Sequence, residues 1–238
     1  MRKIIKKSLL ILLLLIYTSC TNISYGNTKK SVFIDVGHRG YDNGSYYNDN
    51  AEDSLNLNIS QLVAKKLEKY NVKVYLNRQD DAFLSLSERT NMANKSKADL
   101  FVSIHQNASE DKEPNGIETI YMNNNKEIAE IFQHNLLEIT GANDRGVKSS
   151  NLQVLRDNEL PAILIECGFL SNPTEGYKLS TFEYQDKLSD AIVKSIKEYL
   201  NLELKSDDAD IVTNNEPTKS FDLKNIFNDF LSSFIKNN

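Results

Sequence analysis

Two of the chain's three histidines end short apolar runs. His38 closes Val32-Phe-Ile-Asp-Val-Gly-His38, and His105 lies near the end of Leu100-Phe-Val-Ser-Ile-His-Gln-Asn107. A third run, Ala162-Ile-Leu-Ile-Glu166, ends on a carboxylate, and Glu52 stands one loop beyond His38. Two histidines and one carboxylate, with a fourth position left open, form the ligand pattern of a catalytic zinc. Such an ion lowers the pKa of bound water to about 7 and polarises a carbonyl. A second carboxylate must then move protons, and Glu166 is the candidate. Burying an unpaired carboxylate behind four apolar residues is costly, which argues for a role in chemistry. On spacing alone the plainer readings stay open. A strand-end histidine can be a hydrogen-bonded core residue, and Glu52 can be a first-turn carboxylate favoured by the helix dipole. Asp35 and Asp42 could also ligate, although carboxylates near turns commonly cap loops. His134 lies mid-helix and reads as a surface or groove residue.

The elements that must position these groups follow from periodicity. The three runs read as buried strands, and parallel strands of an α/β sheet deliver the residues at their carboxyl ends to one edge. Further strands are expected at 72–76, 116–122 and 152–155, with Asp144–Lys148 as a loop. A helix after Glu52 carries the stripe Leu55, Ile59, Leu62, Val63 and Leu67. Other helices are expected at 86–97, at 126–140 (stopped by Gly141) and at 185–200. The expectation is an α/β domain: a twisted, mostly parallel sheet of about six strands flanked by helices, with the metal site at the carboxyl ends of the strands.

Composition bounds the partners. Net charge is −5. The first nineteen residues carry four of the 28 basic groups and none of the 33 acidic ones, so removing them leaves 24 − 33 = −9. Nucleic acid is thereby disfavoured, because phosphate binding requires clustered Lys and Arg. Residues 1–19 read as a signal peptide of lipoprotein type, with basic Arg2, Lys3, Lys6 and Lys7 before an apolar segment from Leu9 to Ile16. That segment is too short to span a bilayer. Thr18-Ser19-Cys20 resembles a bacterial lipobox, with Tyr17 where Leu is usual; plain secretion and an uncleaved anchor remain alternatives. Residues 20–30 form a spacer, 31–202 the catalytic domain, 203–220 a linker and 221–238 an amphipathic helix. That last helix could pack back on the domain or dock on a partner or membrane. Cys20 and Cys167 form no disulfide framework, and Cys167 reads as an inert buried thiol.

Eight ordered motifs carry a resemblance. They are Asp35-Val-Gly-His38-Arg-Gly40, Glu52-Asp-Ser-Leu-Asn-Leu57, Arg89 with Ala93-Asn94, and Ala98-Asp-Leu-Phe-Val-Ser-Ile-His105-Gln-Asn107. Asn115-Gly-Ile-Glu-Thr119, Asp144-Arg-Gly-Val-Lys148, Val154-Leu-Arg156 and Leu164-Ile-Glu166-Cys-Gly-Phe-Leu-Ser-Asn172 complete them. Together they closely resemble the zinc-dependent N-acetylmuramoyl-L-alanine amidases of bacterial cell walls. The resemblance implies zinc on His38, Glu52 and His105, Glu166 as the catalytic residue, and Arg39 and Asn107 as candidate substrate contacts. It also implies a peptidoglycan substrate and an exported protein, membrane-anchored or secreted. The first motif departs from the family's Asp-Pro-Gly-His-Gly-Gly at Val36 and Arg39, and Asp53 stands where Lys is common. Related division enzymes carry a blocking helix, for which the segment between Asn107 and Gly116 is too short, so an open site is expected. Layout and composition are similar to the sporulation-specific cortex amidases of CwlD type, which would place the activity in spore cortex processing or germination. The rival readings are a zinc peptidase or deacetylase on another cell-wall bond, and a peptidoglycan-binding or partner-dependent protein with a weakly held metal.

Overall fold

The structure is a computed structural model and describes residues 29–38, 40, 42–80 and 83–205. The signal peptide, most of the spacer and of the linker, the C-terminal helix and Arg39 lie outside the described residues.

Six strands form one sheet: β1 (Lys30–Val36), β4 (Val72–Leu76), β5 (Leu100–Asn107), β6 (Ile117–Tyr121), β7 (Asp144–Ser149) and β8 (Ala162–Phe169). Their order is β4-β1-β5-β8-β6-β7. The first four run parallel, β6 lies antiparallel to β8, and β7 runs parallel to β6. Strands β2 (Tyr46–Tyr47) and β3 (Asn50–Ala51) make a small separate hairpin. The central strands are near-continuous Val, Ile, Leu and Phe because helices cover both faces, leaving no solvent face to demand alternation. Phe33, Ile34, Phe101, Ile104, Ile163 and Ile165 are accordingly buried.

The helices are α1 (Glu52–Leu67), α2 (Leu86–Ser96), α3 (Lys126–Thr140), α4 (Gln153–Arg156), α5 (Pro173–Leu179) and α6 (Phe182–Leu200). Helix α6 packs against both α1 and α3. It begins at Phe182, three residues before the expected Gln185, because the Thr181 side chain accepts from the Tyr184 N–H and starts the helix there. Helix α5 had no periodic stripe to announce it; Asn172 caps it by accepting from Thr174 and Glu175, and Pro173 opens it.

One expectation is overturned. Residues 152–155, expected as a strand, contribute instead to the single helical turn α4, and the strand is the segment expected as a loop, Asp144–Ser149. Consecutive Val154 and Leu155 are both buried in one cluster with Phe33, Ala93 and Phe101, which alternating strand faces do not allow. Strand β7 is concealed in the sequence because it is a half-exposed polar edge strand, broken in register opposite Glu118 and carrying Gly146 at φ 76°.

Candidate metal centre

Sheet register brings the sequence-selected groups to one rim. Val36 pairs with Ile104, and His105 pairs with Glu166, so His38, His105 and Glu166 sit at the same end of the adjacent parallel strands β1, β5 and β8. Glu52 opens α1 and is buried. Its Oε1 lies 3.1 Å from His38 Nε2 and 3.1 Å from His105 Nδ1, and it accepts from the Gln106 N–H at 3.0 Å. Its Oε2 accepts from the Ser45 N–H and hydroxyl at 3.0 and 3.1 Å. The two imidazoles meet edge to face with centroids 4.8 Å apart. One donor atom from each of His38, Glu52 and His105 falls within 4.8 Å of the others.

Close approach requires glycine at two positions. A Cβ at Gly37 would come within 2.5 Å of the His105 ring, and one at Gly44 would collide with the Glu52 carboxylate.

The carbonyls that precede and include His38 are clamped by two buried arginines. Arg89 donates to the carbonyls of Val36 (2.8 Å) and His38 (3.0 Å), and Arg78 to those of Gly37 (3.0 Å) and Asp53 (2.8 Å). This clamp matters because His38 has φ 58°, a left-handed conformation that costs a non-glycine residue about 1 kcal/mol or more. Asp35 turns out to serve the clamp. Fully buried, it accepts from Ser103 at 2.7 Å, Asn77 at 2.5 Å and Arg89 at 3.4 Å. Asp42 reaches His38 instead, its Oδ2 lying 2.9 Å from Nδ1 but off the direction a hydrogen bond requires.

Electrostatics match the geometry. Burial alone would raise the Glu52 pKa, but hydrogen bonds and charge from His105 and His38 outweigh it and hold the carboxylate far below its usual range. For His38, burial opposes the charged form, yet Glu52 and Asp42 prevail and raise its pKa to about 9. This rim therefore attracts positive charge. Burial, reinforced by the Glu52 and Glu118 charges, pushes Glu166 up to about 8. Its Oε2 is buried with no hydrogen-bond partner among the described residues. Two imidazole nitrogens and a carboxylate oxygen around one point, beside an unpartnered carboxyl oxygen, fit a dication such as zinc.

The other candidates separate cleanly. His134 is largely exposed, its nearest carboxylate 3.7 Å away on Glu138. Cys167 is a buried free thiol with its pKa pushed up by burial. Asn107 donates to Glu118 Oε1 at 3.2 Å. Residues 108–116 contain no helix. Sequence reasoning did not single out Arg78, Glu118, Arg145 or Lys148 as site residues. Glu118 and the two β7 cations were quoted in motifs, while Arg78 carried no signal beyond following β4 by two residues.

Residues 32–198 match the family model described as N-acetylmuramoyl-L-alanine amidase. Among characterised relatives, the chain is 39% identical over 168 residues to the N-acetylmuramoyl-L-alanine amidase LytC of Bacillus subtilis, covering 68% of this chain. It spans only about a third of LytC (34%). A solved N-acetylmuramoyl-L-alanine amidase from Clostridium difficile 630 superposes with a TM-score of 0.71 at 40% identity, covering 74% of this chain and 98% of that one. The CwlD amidase of Clostridioides difficile, solved in complex with the GerS lipoprotein, superposes with a TM-score of 0.69 at 33% identity, covering 72% and 98%. The chain belongs to the N-acetylmuramoyl-L-alanine amidase family and is an amide hydrolase of that class.

Proposed function

We propose that the chain hydrolyses the amide between N-acetylmuramic acid and L-alanine in peptidoglycan, with zinc held by His38, Glu52 and His105 and with Glu166 carrying the proton. The observation that carries the reading is the Glu52 carboxylate lying 3.1 Å from each of two imidazoles, one strand away from Glu166, whose Oε2 is buried with no hydrogen-bond partner among the described residues. Zinc bound there would polarise the lactoyl carbonyl and acidify water. Glu166 takes the proton of the attacking water and returns it to the leaving alanine nitrogen. Positive charge at the three ligands draws its pKa down from about 8 toward neutrality, where one group serves as base and then as acid. Gly37, Arg78 and Arg89 keep the His38 turn and the His105 ring in register for that exchange.

Export follows from residues 1–19, with Cys20 as the lipid attachment point in the anchored form. Among the described residues no helix is long and apolar enough to cross a membrane. A second reading has support in the CwlD amidase having been solved with a lipoprotein. In it the same site holds metal weakly until a protein partner docks, and the activity serves the spore cortex.

The test is the zinc content of the purified chain together with the mass of fragments released from peptidoglycan. About one equivalent of zinc with free peptide stems is expected. Fragments cut within the peptide or deacetylated at the sugar would overturn the choice of bond. Little zinc and no release until a partner is added would favour the second reading.

A further inference from the structure

Beyond the ligands and Glu166, the row of charged side chains continues across the sheet. Glu118 on β6 is the direct register partner of Glu166, and paired residues of antiparallel strands share a face. Its Oε2 accepts from Arg145 Nε at 3.0 Å and Lys148 Nζ at 2.5 Å, while Oε1 accepts from Asn107 at 3.2 Å. Two cations on one carboxylate leave the cluster with a net positive charge, in a chain whose net charge is −5. Glu118 is buried, but the side chains of Arg145 and Lys148 are 32% and 47% exposed, so their outer donors face solvent.

Arg145 is also held in place. Its guanidinium lies 4.6 Å from the centroid of the Phe169 ring, Nε is committed to Glu118, and Nη1 reaches the Asn115 carbonyl at 3.5 Å. Its Nη2 has no partner among the described residues. A half-exposed guanidinium held over an aromatic ring, with Nη2 free, is suited to a carboxylate. Position then identifies whose carboxylate. The sheet order runs β1, β5, β8, β6, β7, so the metal ligands lie on one side of Glu166 and the two cations on the other. Glu166 protonates the leaving nitrogen, so groups beyond it face the leaving peptide. Two strand spacings of about 4.8 Å separate β8 from β7, the length of roughly two to three extended residues.

We infer that Arg145 and Lys148 form a subsite for a free carboxylate on the peptide leaving group, with Glu118 as the counter-charge that holds both cations in place. The inference rests on the amide-hydrolysis reading above.

Two synthetic muramoyl-peptides that differ only in a free carboxylate or a carboxamide on the second stem residue test it with the zinc-loaded full chain. The carboxylate form is expected to show a KM about tenfold lower. Arg145→Gln should remove that preference by raising KM for the carboxylate form alone, with kcat little changed; Lys148→Gln should do so to a smaller degree. Equal losses on both substrates would mean that the cations merely brace Glu118, and would overturn the subsite, as would a wild-type chain without preference. Calorimetry of the two released stem peptides on the same proteins reads the preference without turnover. No turnover on either substrate, with carboxylate-selective binding intact, sinks the amidase reading and keeps the subsite. Thermal melts accompany each variant, and if Arg145→Gln fails to fold, Lys148→Gln and Arg145→Lys carry the comparison.

Discussion

The two ends of the sheet handle buried charge in opposite ways. Around β1, Asp35, Arg78 and Arg89 are almost wholly buried, and the arginines spend their donors mainly on main-chain carbonyls. Around β7, Arg145 and Lys148 are half-exposed and spend theirs mainly on one side chain, Glu118. The first arrangement fixes backbone where a ligand must be held in a left-handed turn, and it leaves nothing for a ligand to use. The second fixes only a carboxylate and keeps cation surface free. Thus similar residue types read as scaffold at one end and as recognition surface at the other, and each variant below should separate the two.

The largest effect is expected at the boundary between the ends. Glu166→Gln should lower kcat by roughly 10²- to 10⁴-fold, the range for a positioned proton carrier, with zinc content unchanged. Loss of zinc from this variant would instead make Glu166 a ligand. Its effect on stability has the opposite sign. The folded-state pKa of about 8 lies above the ordinary 4.5, so the folded chain binds this proton more tightly than the unfolded chain. The associated stability is fully present below pH 4.5 and is lost as pH rises through 8. In chelator, then, Glu166→Gln should melt above wild type at pH 8, with the gap closing toward pH 4.5. A gap that widens on acidification would contradict a buried, protonated carboxyl.

Next in size is the scaffold end. Arg89→Gln removes donors from the carbonyls of Val36 and His38 and leaves Asp35 short of its cationic partner. Breaking a buried ion pair on one side costs about 3–5 kcal/mol, and loss of support for a ligand typically lowers metal affinity 10- to 100-fold. Chemical denaturation and zinc competition measure the two. Lys148→Gln, which removes one half-exposed cation from a carboxylate with other partners, should change stability by under about 1 kcal/mol and leave zinc affinity alone. Similar losses in both variants would dissolve the distinction between the two ends.

The same contrast explains what could be read from the sequence. The metal end was legible because parallel strands bring the residues near their carboxyl ends together, so His38, His105 and Glu166 each stood after a short, largely apolar run. Glu52 was legible as a carboxylate heading an amphipathic helix. The clamp was not, because Arg78 and Arg89 act on carbonyl groups, which have no residue type. At the far end the antiparallel reversal puts Glu118, the second residue of β6, level with Glu166, so it stands near the start of its strand and not after an apolar run. No run terminates there to mark it, and β7 is too polar to read as a strand. The apolar pair Val154-Leu155 drew the strand assignment away from it, although a helical turn buries both residues equally well.

A further small effect tests whether the clamp depends on its helix or only on burial. Helix α2 starts with a reciprocal capping box: Ser85 Oγ accepts from the Glu88 N–H at 3.3 Å, and Glu88 Oε2 accepts from the Ser85 N–H at 2.8 Å. Arg89 follows one residue later, so the cap secures the turn from which the guanidinium reaches the His38 carbonyl. Ser85→Ala should cost about 1 kcal/mol of stability. The guanidinium is buried and keeps three acceptors away from the cap (Asp35, Val36 and His38) besides the Leu84 carbonyl beside it, so zinc affinity should stay within about twofold of wild type. A zinc loss as deep as that of Arg89→Gln would show that the helix start, rather than the buried guanidinium, holds the ligand turn in its left-handed form.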